Sequence, residues 1–214
     1  MNKQKQIRLF DRQAAQYGRR QENAAMRRWR AELLREARGN VLELAVGAGA
    51  NFRYYPKGVR VTAADFSPKM LDKARESAKA CHLDAEFLQS DIDILEFPEH
   101  SFDTIVSTLS FCSYENPLGV MKKLRRWCKP DGIILLMEHG ISSHAPVALA
   151  QRLLNPLLFR AIGCHHTRDI PAMIGEAGLQ IISKESHMLK MVHLLRAKPA
   201  FSLHNMHFGP AADV

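Results

Sequence analysis

Apolar and polar residues follow two alternating patterns along this chain, one typical of strands and one typical of helices. Short apolar runs bounded by turn residues predict five strands, over residues 41–46, 59–64, 86–89, 104–108 and 133–137. Helical patterns lie between or after them, over residues 51–55, 67–81, 116–128, 146–162 and 171–178. This alternation predicts an α/β fold in which helices cover both faces of a mostly parallel sheet.

Two further apolar runs, near residues 179–183 and 188–196, follow one another without an intervening helix. Such a pair predicts an antiparallel hairpin, because parallel neighbours need a long crossover connection. We therefore expect a seven-stranded sheet with an antiparallel strand at its edge.

The two ends of the chain differ from this repeating part. Residues 7–38 contain no proline and a single glycine, Gly18, which we expect to divide two helices. The sequence predicts an N-terminal helical cap (1–38), a main domain (39–198) and a C-terminal tail (199–214). The apolar helical stretch within about 140–170 is expected to be a lid inserted over the ligand-binding edge of the sheet.

The turn after the first predicted strand carries the strongest signal. The run Val-Leu-Glu-Leu-Ala-Val-Gly-Ala-Gly-Ala-Asn at 41–51 is an apolar strand followed by small residues. Glycines at Gly47 and Gly49 let the backbone bend sharply and let a ligand approach without meeting a Cβ atom. A strand, turn and helix of this kind place a nucleotide-like ligand at the carboxyl edge of a parallel sheet.

Composition narrows the class of protein. The chain has 214 residues, of which 46% are hydrophobic and 24% charged, as in an ordinary globular domain. Its four cysteines form no CxxC pair, which argues against a disulfide framework and a structural zinc site and suits a reducing compartment. No apolar run approaches the roughly 20 residues that span a bilayer. We expect a cytoplasmic protein.

The net charge of +8 is concentrated at one end, since residues 1–38 hold eleven Lys/Arg and four Asp/Glu. This basic segment is a candidate for peripheral contact with an anionic membrane; a solvated helix face explains the same charges. The remainder of the chain is almost neutral, so the sequence does not favour a nucleic acid as partner.

Five motifs occur in order, at residues 41–49, 65–71, 90–92, 101–103 and 129–132. Together they resemble the class I S-adenosylmethionine (SAM)-dependent methyltransferases, which have a Rossmann-like fold. Residues 51–56, 107–113, 137–139 and 163–168 further resemble the membrane-associated methyltransferase-like proteins that methylate alkyl thiols. They are also similar to ubiquinone/menaquinone and phospholipid methyltransferases. One departure is Ala45, where the family usually has glycine.

The resemblance implies SAM as cofactor and assigns roles to particular residues. Glu43 would hold the amino group of the cofactor, and Asp65 would accept hydrogen bonds from its ribose hydroxyls. Asp91 would accept from the adenine amino group. The other residues implied in cofactor binding are Tyr17, Ala45, Gly47, Gly49, Asn51, Phe66, Ser67, Met70, Ile92, Thr108, Leu109 and Ser110. Of these, Phe66, Met70 and Ile92 would contact the adenine, and the last three would meet the methionine end.

The reaction would be in-line displacement of the methyl group by a small-molecule acceptor. His139, just beyond the fifth strand, is the candidate base for a thiol or amine acceptor, although a hydrogen-bonded turn histidine is an equal interpretation. The adjacent pair His165 and His166 would point apart on a helix or strand, so no metal site is expected. The apolar lid favours an apolar or amphipathic acceptor such as a thiol, a phospholipid amine or a quinone precursor; leucines packed in the core explain it equally.

Other classes fit less well. A nicotinamide dehydrogenase needs a third glycine three residues after Gly49, where this chain has Phe52. An amino-methylating nucleic-acid enzyme usually has an Asn/Asp-Pro-Pro-aromatic element after the fourth strand, and residues 107–112 lack it. A non-catalytic SAM-binding protein stays open, because the acidic residues indicate binding rather than turnover.

Overall fold

The computed structural model describes residues 3–17 and 22–200. The helices are α1 (Lys3–Tyr17), α2 (Ala24–Leu34), α3 (Pro68–Cys81), α4 (Pro117–Trp127), α5 (Ala145–Ile162) and α6 (Ile170–Glu176). The strands are β1 (Asn40–Leu44), β2 (Arg60–Asp65), β3 (Asp84–Gln89), β4 (Phe102–Thr108), β5 (Cys128–His139), β6 (Leu179–His187) and β7 (Val192–Pro199). Gly18, the expected divider of the first two helices, lies outside the described residues.

All seven strands form one sheet, in the order β3-β2-β1-β4-β5-β7-β6. Strands β1 to β5 pair in parallel, while β7 runs antiparallel to both of its neighbours. The α/β class, the seven strands and the terminal antiparallel hairpin are thus confirmed. Because the chain order reverses beside β1, the carboxyl ends of β1, β2 and β4 meet around one crevice, the usual place for a ligand in such a sheet.

The run Lys-Pro-Asp-Gly at residues 129–132 predicts a turn between α4 and the fifth strand, and this prediction is wrong. Strand β5 already begins at Cys128, which pairs with Phe102, and the register then jumps so that Thr104 pairs with Ile133. The extra residues form an irregularity within the strand. The carboxylate of Asp103 holds it in place by accepting a hydrogen bond of 2.7 Å from Nζ of Lys129.

The sheet separates two hydrophobic layers. One layer holds the apolar face of α4, in which Met121, Leu124 and Trp127 are completely buried, together with residues of α6. The other layer packs α2 and α3 against the opposite face of the sheet. Full burial of a large apolar side chain stabilises the fold by about 1.5–3 kcal/mol, so these helices hold the strand ends in fixed positions.

Side-chain caps fix where the helices begin. Ser67 precedes α3, and its Oγ accepts a hydrogen bond of 3.2 Å from the amide of Met70, with Pro68 in the first turn. Asn116 caps α4 in the same way through the amide of Gly119, at 2.9 Å. A serine followed by proline at the start of a helical pattern predicts such a cap, and the structure confirms it at Ser67, which holds the amino end of α3 beside the carboxyl end of β2.

Helix α5 packs only lightly on the rest of the molecule. Ala148 is its one fully buried residue, whereas Leu149, Leu153, Leu154 and Leu157 are exposed. These four leucines therefore do not belong to the core. No helix among the described residues is both long and apolar enough to cross a bilayer.

Candidate functional site

A cleft of about 700 Å³, including its open mouth, lies at the carboxyl ends of β1, β2 and β4. Its lining residues come from the turns after these strands and from both N-terminal helices. They are Phe10, Arg30, Ala45, Val46, Gly47, Ala48, Ala50, Asn51, Asp65, Phe66, Met70, Thr108, Leu109, Ser110 and Ser113.

The turn after β1 forms one wall of the cleft through its backbone. Ala45, Gly47 and Gly49 have φ angles of 49°, 55° and 76°, in the left-handed region that favours glycine. A Cβ atom added to Gly47 would meet nothing within 4 Å, so this glycine leaves space for a ligand. A Cβ atom on Gly49 would lie 2.7 Å from the ring of Phe52, so the reason for this glycine is internal packing.

Asp65 joins two of the turns that line the cleft. Its Oδ2 accepts a hydrogen bond of 2.9 Å from the amide of Gly47, and its Oδ1 accepts one of 2.8 Å from the amide of Ser67. Burial raises the pKa of this carboxyl group, and the backbone donors act in the opposite direction by favouring the charged form. A carboxylate held in this way is rigid and still borders the cleft.

Glu43 lies beneath the lining rather than in it. Its Oε1 accepts a hydrogen bond of 2.8 Å from Nδ2 of Asn51, and its Oε2 accepts one of 2.7 Å from the hydroxyl of Tyr55. Burial raises its pKa to about 7, against the lowering effect of Tyr55, Asn51 and Arg30. Glu43 therefore reaches the cleft through Asn51, and the direct contact with a cofactor amino group stays a prediction.

Arg30 brings the N-terminal helices into the site. Its Nη1 donates a hydrogen bond of 2.5 Å to Oδ1 of Asn51 and one of 2.8 Å to Oγ1 of Thr108. Its Nε donates a hydrogen bond of 2.5 Å to Oε1 of Glu22. The guanidinium group thus joins the turns after β1 and β4 and borders the cleft itself. On the opposite wall, Phe10 of α1 packs edge-on against Phe66 at 5.4 Å between ring centroids.

A second buried carboxylate organises the turn after β4. Glu138 of β5 accepts hydrogen bonds from the amides of Ser110 and Phe111, at 2.9 and 3.2 Å, and 2.7 Å from the hydroxyl of Ser107. Burial raises its pKa to about 7. The turn that it holds includes Leu109 at a φ angle of 56°, a strained conformation for a leucine at the edge of the cleft.

The remaining expected site residues lie around or outside this lining. Ile92 is buried in the core, and Asp91 follows β3, with its Oδ1 accepting 3.1 Å from the amide of Asp93. Ser67 caps α3 and also donates 2.6 Å to the carboxylate of Asp11. The side chain of Tyr17 lies outside the described residues, so its expected role in cofactor binding stays a prediction.

His139 is not among the described residues that line the cleft. Its ring stacks on that of His166 at 4.6 Å between centroids and 20° between planes. A ligand atom of His139 and the sulfur atoms of Cys112 and Cys164 all lie within 4.8 Å of one another. The role of His139 as a base therefore stays a prediction.

Sequence reasoning missed Phe10, Arg30 and Glu138. Glu138 could have been found from the sequence. Like Glu43 and Asp65, it is a carboxylate at or near the end of an apolar parallel strand. Arg30 and Phe10 carried no such signal, since their positions depend on how the N-terminal helices pack across the sheet. In the sequence they are one arginine and one phenylalanine of a basic amphipathic segment.

The topology and the site together define a class of protein. The cleft at the carboxyl edge of this sheet fits the adenosyl group of SAM, which carries no phosphate. Gly47 leaves space for the ligand, Asp65 supplies a buried carboxylate, and Phe66 and Met70 form apolar walls. Residues 42–136 match the methyltransferase domain family. Residues 42–136 therefore form a methyltransferase domain, and SAM is the cofactor that such a domain implies.

The chain is similar to proteins of several methyltransferase kinds. It is 33% identical over 135 residues to thiol S-methyltransferase TMT1B of Rattus norvegicus, covering 60% of this chain and 55% of the relative. It is 29% identical over 148 residues to phosphatidylethanolamine N-methyltransferase of Cereibacter sphaeroides, covering 68% and 72%. The chain thus spans only about half to three quarters of the length of these relatives.

Among solved structures, a methyltransferase of Haloferax volcanii in complex with the Trm112 activator has the same fold. It superposes with a TM-score of 0.72 at 19% identity, over 92% of this chain and 98% of that one. At this identity the likeness establishes the fold and not the substrate.

Asp65→Ala is expected to weaken SAM binding by at least about tenfold, because it removes a charged acceptor from the cleft and frees the amide of Gly47. Titration calorimetry with SAM measures the affinity. Asp84→Ala, at an exposed carboxylate that starts β3, is the matched control and should bind as the wild type does. Unchanged affinity in a folded Asp65→Ala protein would refute the assignment of this carboxylate to the cofactor.

The buried carboxyl group of Glu138 makes stability depend on pH. Its pKa is raised from 4.5 to about 7 in the folded protein. The protonated form therefore stabilises the fold below pH 4.5, and this contribution is lost as the pH rises from 4.5 through about 7. Relative to Glu138→Gln, the unfolding free energy of the wild type should fall by about 3 kcal/mol over that window.

Urea unfolding of both proteins across this pH range measures the difference. Glu99→Gln supplies the control, because it removes an exposed carboxyl group and leaves Glu138 and its hydrogen-bond partners in place. Parallel curves for wild type and Glu138→Gln would contradict the assignment of a raised pKa to this group.

Proposed function

We propose that this protein transfers the methyl group of SAM to a small apolar or amphipathic acceptor, with a thiol as the leading class. The observation that carries the proposal is the cleft itself, in which Gly47 and Asp65 border one end and the turn of Thr108, Leu109 and Ser110 borders the other. Bound SAM supplies an activated methyl group. The protein then has to hold an acceptor in line with it, a proximity effect of several kcal/mol.

The exposed face of α5 supports an apolar acceptor or a membrane-borne one. Leu149, Leu153 and Leu157 recur at the helical spacing, and Leu153 is 70% exposed. Arg152 and Arg160 share the same face, and α5 contains no acidic residue. A helix with leucines and arginines side by side is suited to lie on an anionic lipid surface.

The similarity to relatives named as thiol S-methyltransferases and as a phosphatidylethanolamine N-methyltransferase agrees with this acceptor class. These names give a thiol and phosphatidylethanolamine as the acceptors of those two proteins. The basic segment of residues 1–38 would add attraction to anionic lipid, as each Lys or Arg near such a surface contributes about 1 kcal/mol.

Methyl-labelled SAM tests the reaction directly. With a long-chain alkanethiol as acceptor we expect label in the organic phase as the methyl thioether, and less label with phosphatidylethanolamine vesicles or with a water-soluble thiol. Transfer to the water-soluble thiol alone would move the function to polar metabolites. Absence of transfer to every acceptor, with SAM still bound, would support the non-catalytic SAM-binding alternative.

Vesicle sedimentation tests the surface of α5. The wild type is expected to sediment with anionic vesicles and much less with neutral ones at low salt. The double variant Leu153→Gln/Leu157→Gln should bind anionic vesicles at least about tenfold more weakly, because it loses two apolar contacts. Ile182→Gln is the matched control, since Ile182 is 54% exposed on β6. Equal losses in both proteins, or equal sedimentation with both vesicle types, would contradict the proposal.

A further inference from the structure

The fold brings together two cysteines and a histidine that are far apart in the sequence. Cys112 lies in the turn after β4, His139 ends β5, and Cys164 follows α5. One ligand atom from each of them lies within 4.8 Å of the other two, and Cys112 is buried while the others are half-buried. Neither cysteine has a neighbouring CxxC partner, so their spacing in the sequence does not predict the cluster.

We propose that Cys112, His139 and Cys164 bind a zinc ion beside the cofactor cleft. Two sulfurs and an imidazole nitrogen are a soft ligand set that suits zinc. Around tetrahedral zinc, with Zn–S bonds of about 2.3 Å, two sulfurs stand roughly 3.8 Å apart. The observed upper limit of 4.8 Å is about 1 Å longer, which rotation of the two cysteine side chains can close.

The backbone around the cluster is held firmly enough to serve as a site. The amide of His165 donates 2.9 Å to the carbonyl of Cys112, and Arg168 donates to the carbonyls of Phe111 and Tyr114. These bonds hold the Cys164 segment against the Cys112 turn. The amide of His166 donates 2.8 Å to Oδ1 of Asn155, which joins the same segment to α5.

The histidines leave polar atoms that suit a ligand site. Nδ1 of His139 and Nε2 of His166 are both buried and have no hydrogen-bond partner within the described part of the chain. Buried polar atoms are rarely left without a partner in folded proteins. The ring of His166 stacks on that of His139 and restricts its rotation.

Three protein ligands leave the fourth position of a tetrahedral ion open, as in catalytic zinc sites. Cys112 lies between Ser110 and Ser113, which both line the cleft, so the proposed ion would lie near this wall of the cleft. If the proposed function holds, a zinc ion there would lower the pKa of a thiol acceptor, whose proton would go to solvent. The acceptor sulfur would then form a bond to the methyl carbon as the methyl carbon–sulfur bond of SAM breaks, and the electron pair of that bond would stay with the cofactor product. His139 is a ligand in this scheme and not the base.

Zinc binding is measured on the full chain, kept reduced and stripped of metal, by competition with a chromophoric chelator. We expect one ion per chain, and the Co²⁺ form should show thiolate charge-transfer and tetrahedral ligand-field bands. Cys112→Ser, Cys164→Ser and His139→Gln should each weaken zinc binding by at least about a hundredfold. Cys81→Ser, at a half-buried cysteine that ends α3, should bind as the wild type does.

SAM calorimetry on the same variants reports whether the fold is intact, independently of the metal. Zinc affinity in a folded Cys112→Ser/Cys164→Ser protein equal to that of the wild type would overturn the site. For the role of the ion, removal of zinc should abolish thiol methylation and leave SAM binding unchanged. Undiminished methylation by the zinc-free protein would overturn that role while leaving the methyltransferase proposal intact.

Discussion

Buried carboxylates at the ends of parallel strands are the constraint on which this site depends. Asp65 ends β2 and Glu138 stands one residue before the end of β5, and both accept backbone amides from the turn of another strand. A buried carboxylate is costly unless its oxygens are paired, so each fixes the turn that pairs with it. The turn after β1 is held in the left-handed conformation of Ala45, Gly47 and Gly49, and the turn after β4 in that of Leu109. The hydrogen bonds to the two carboxylates thus hold both turns, and with them two walls of the cleft, in place.

The N-terminal helices complete the site through Arg30. Its guanidinium group donates to Asn51 and Thr108, and Asn51 in turn donates to Glu43, so one cation connects the turns after β1 and β4 with the carboxylate beneath them. A strongly basic segment thus has at least one charge that is structural and partly desolvated. The exposed charges of the same segment and of α5 remain available for a surface such as lipid. Cofactor binding and the proposed membrane contact would then depend on different residues.

Much of the fold followed from the sequence, because strand and helix periods and the caps at Ser67 and Asn116 are local signals. The glycine turn and Asp65 were local signals too, and both lie where expected. The irregularity at residues 129–132 was missed because a Lys-Pro-Asp-Gly run reads as a turn, whereas the pairing with Phe102 that extends the strand is a tertiary contact. Arg30, Phe10 and the cluster of Cys112, His139 and Cys164 join segments far apart in the chain, and no spacing rule could bring them together.

A crystal structure of the complex with S-adenosylhomocysteine would test the cofactor site atom by atom. We expect the ribose hydroxyls within hydrogen-bond distance of Asp65, the adenine between Phe66 and Met70, and the sulfur at the turn of Thr108, Leu109 and Ser110. A ligand bound elsewhere on the molecule, or bound in the cleft with its ribose remote from Asp65, would contradict this expectation.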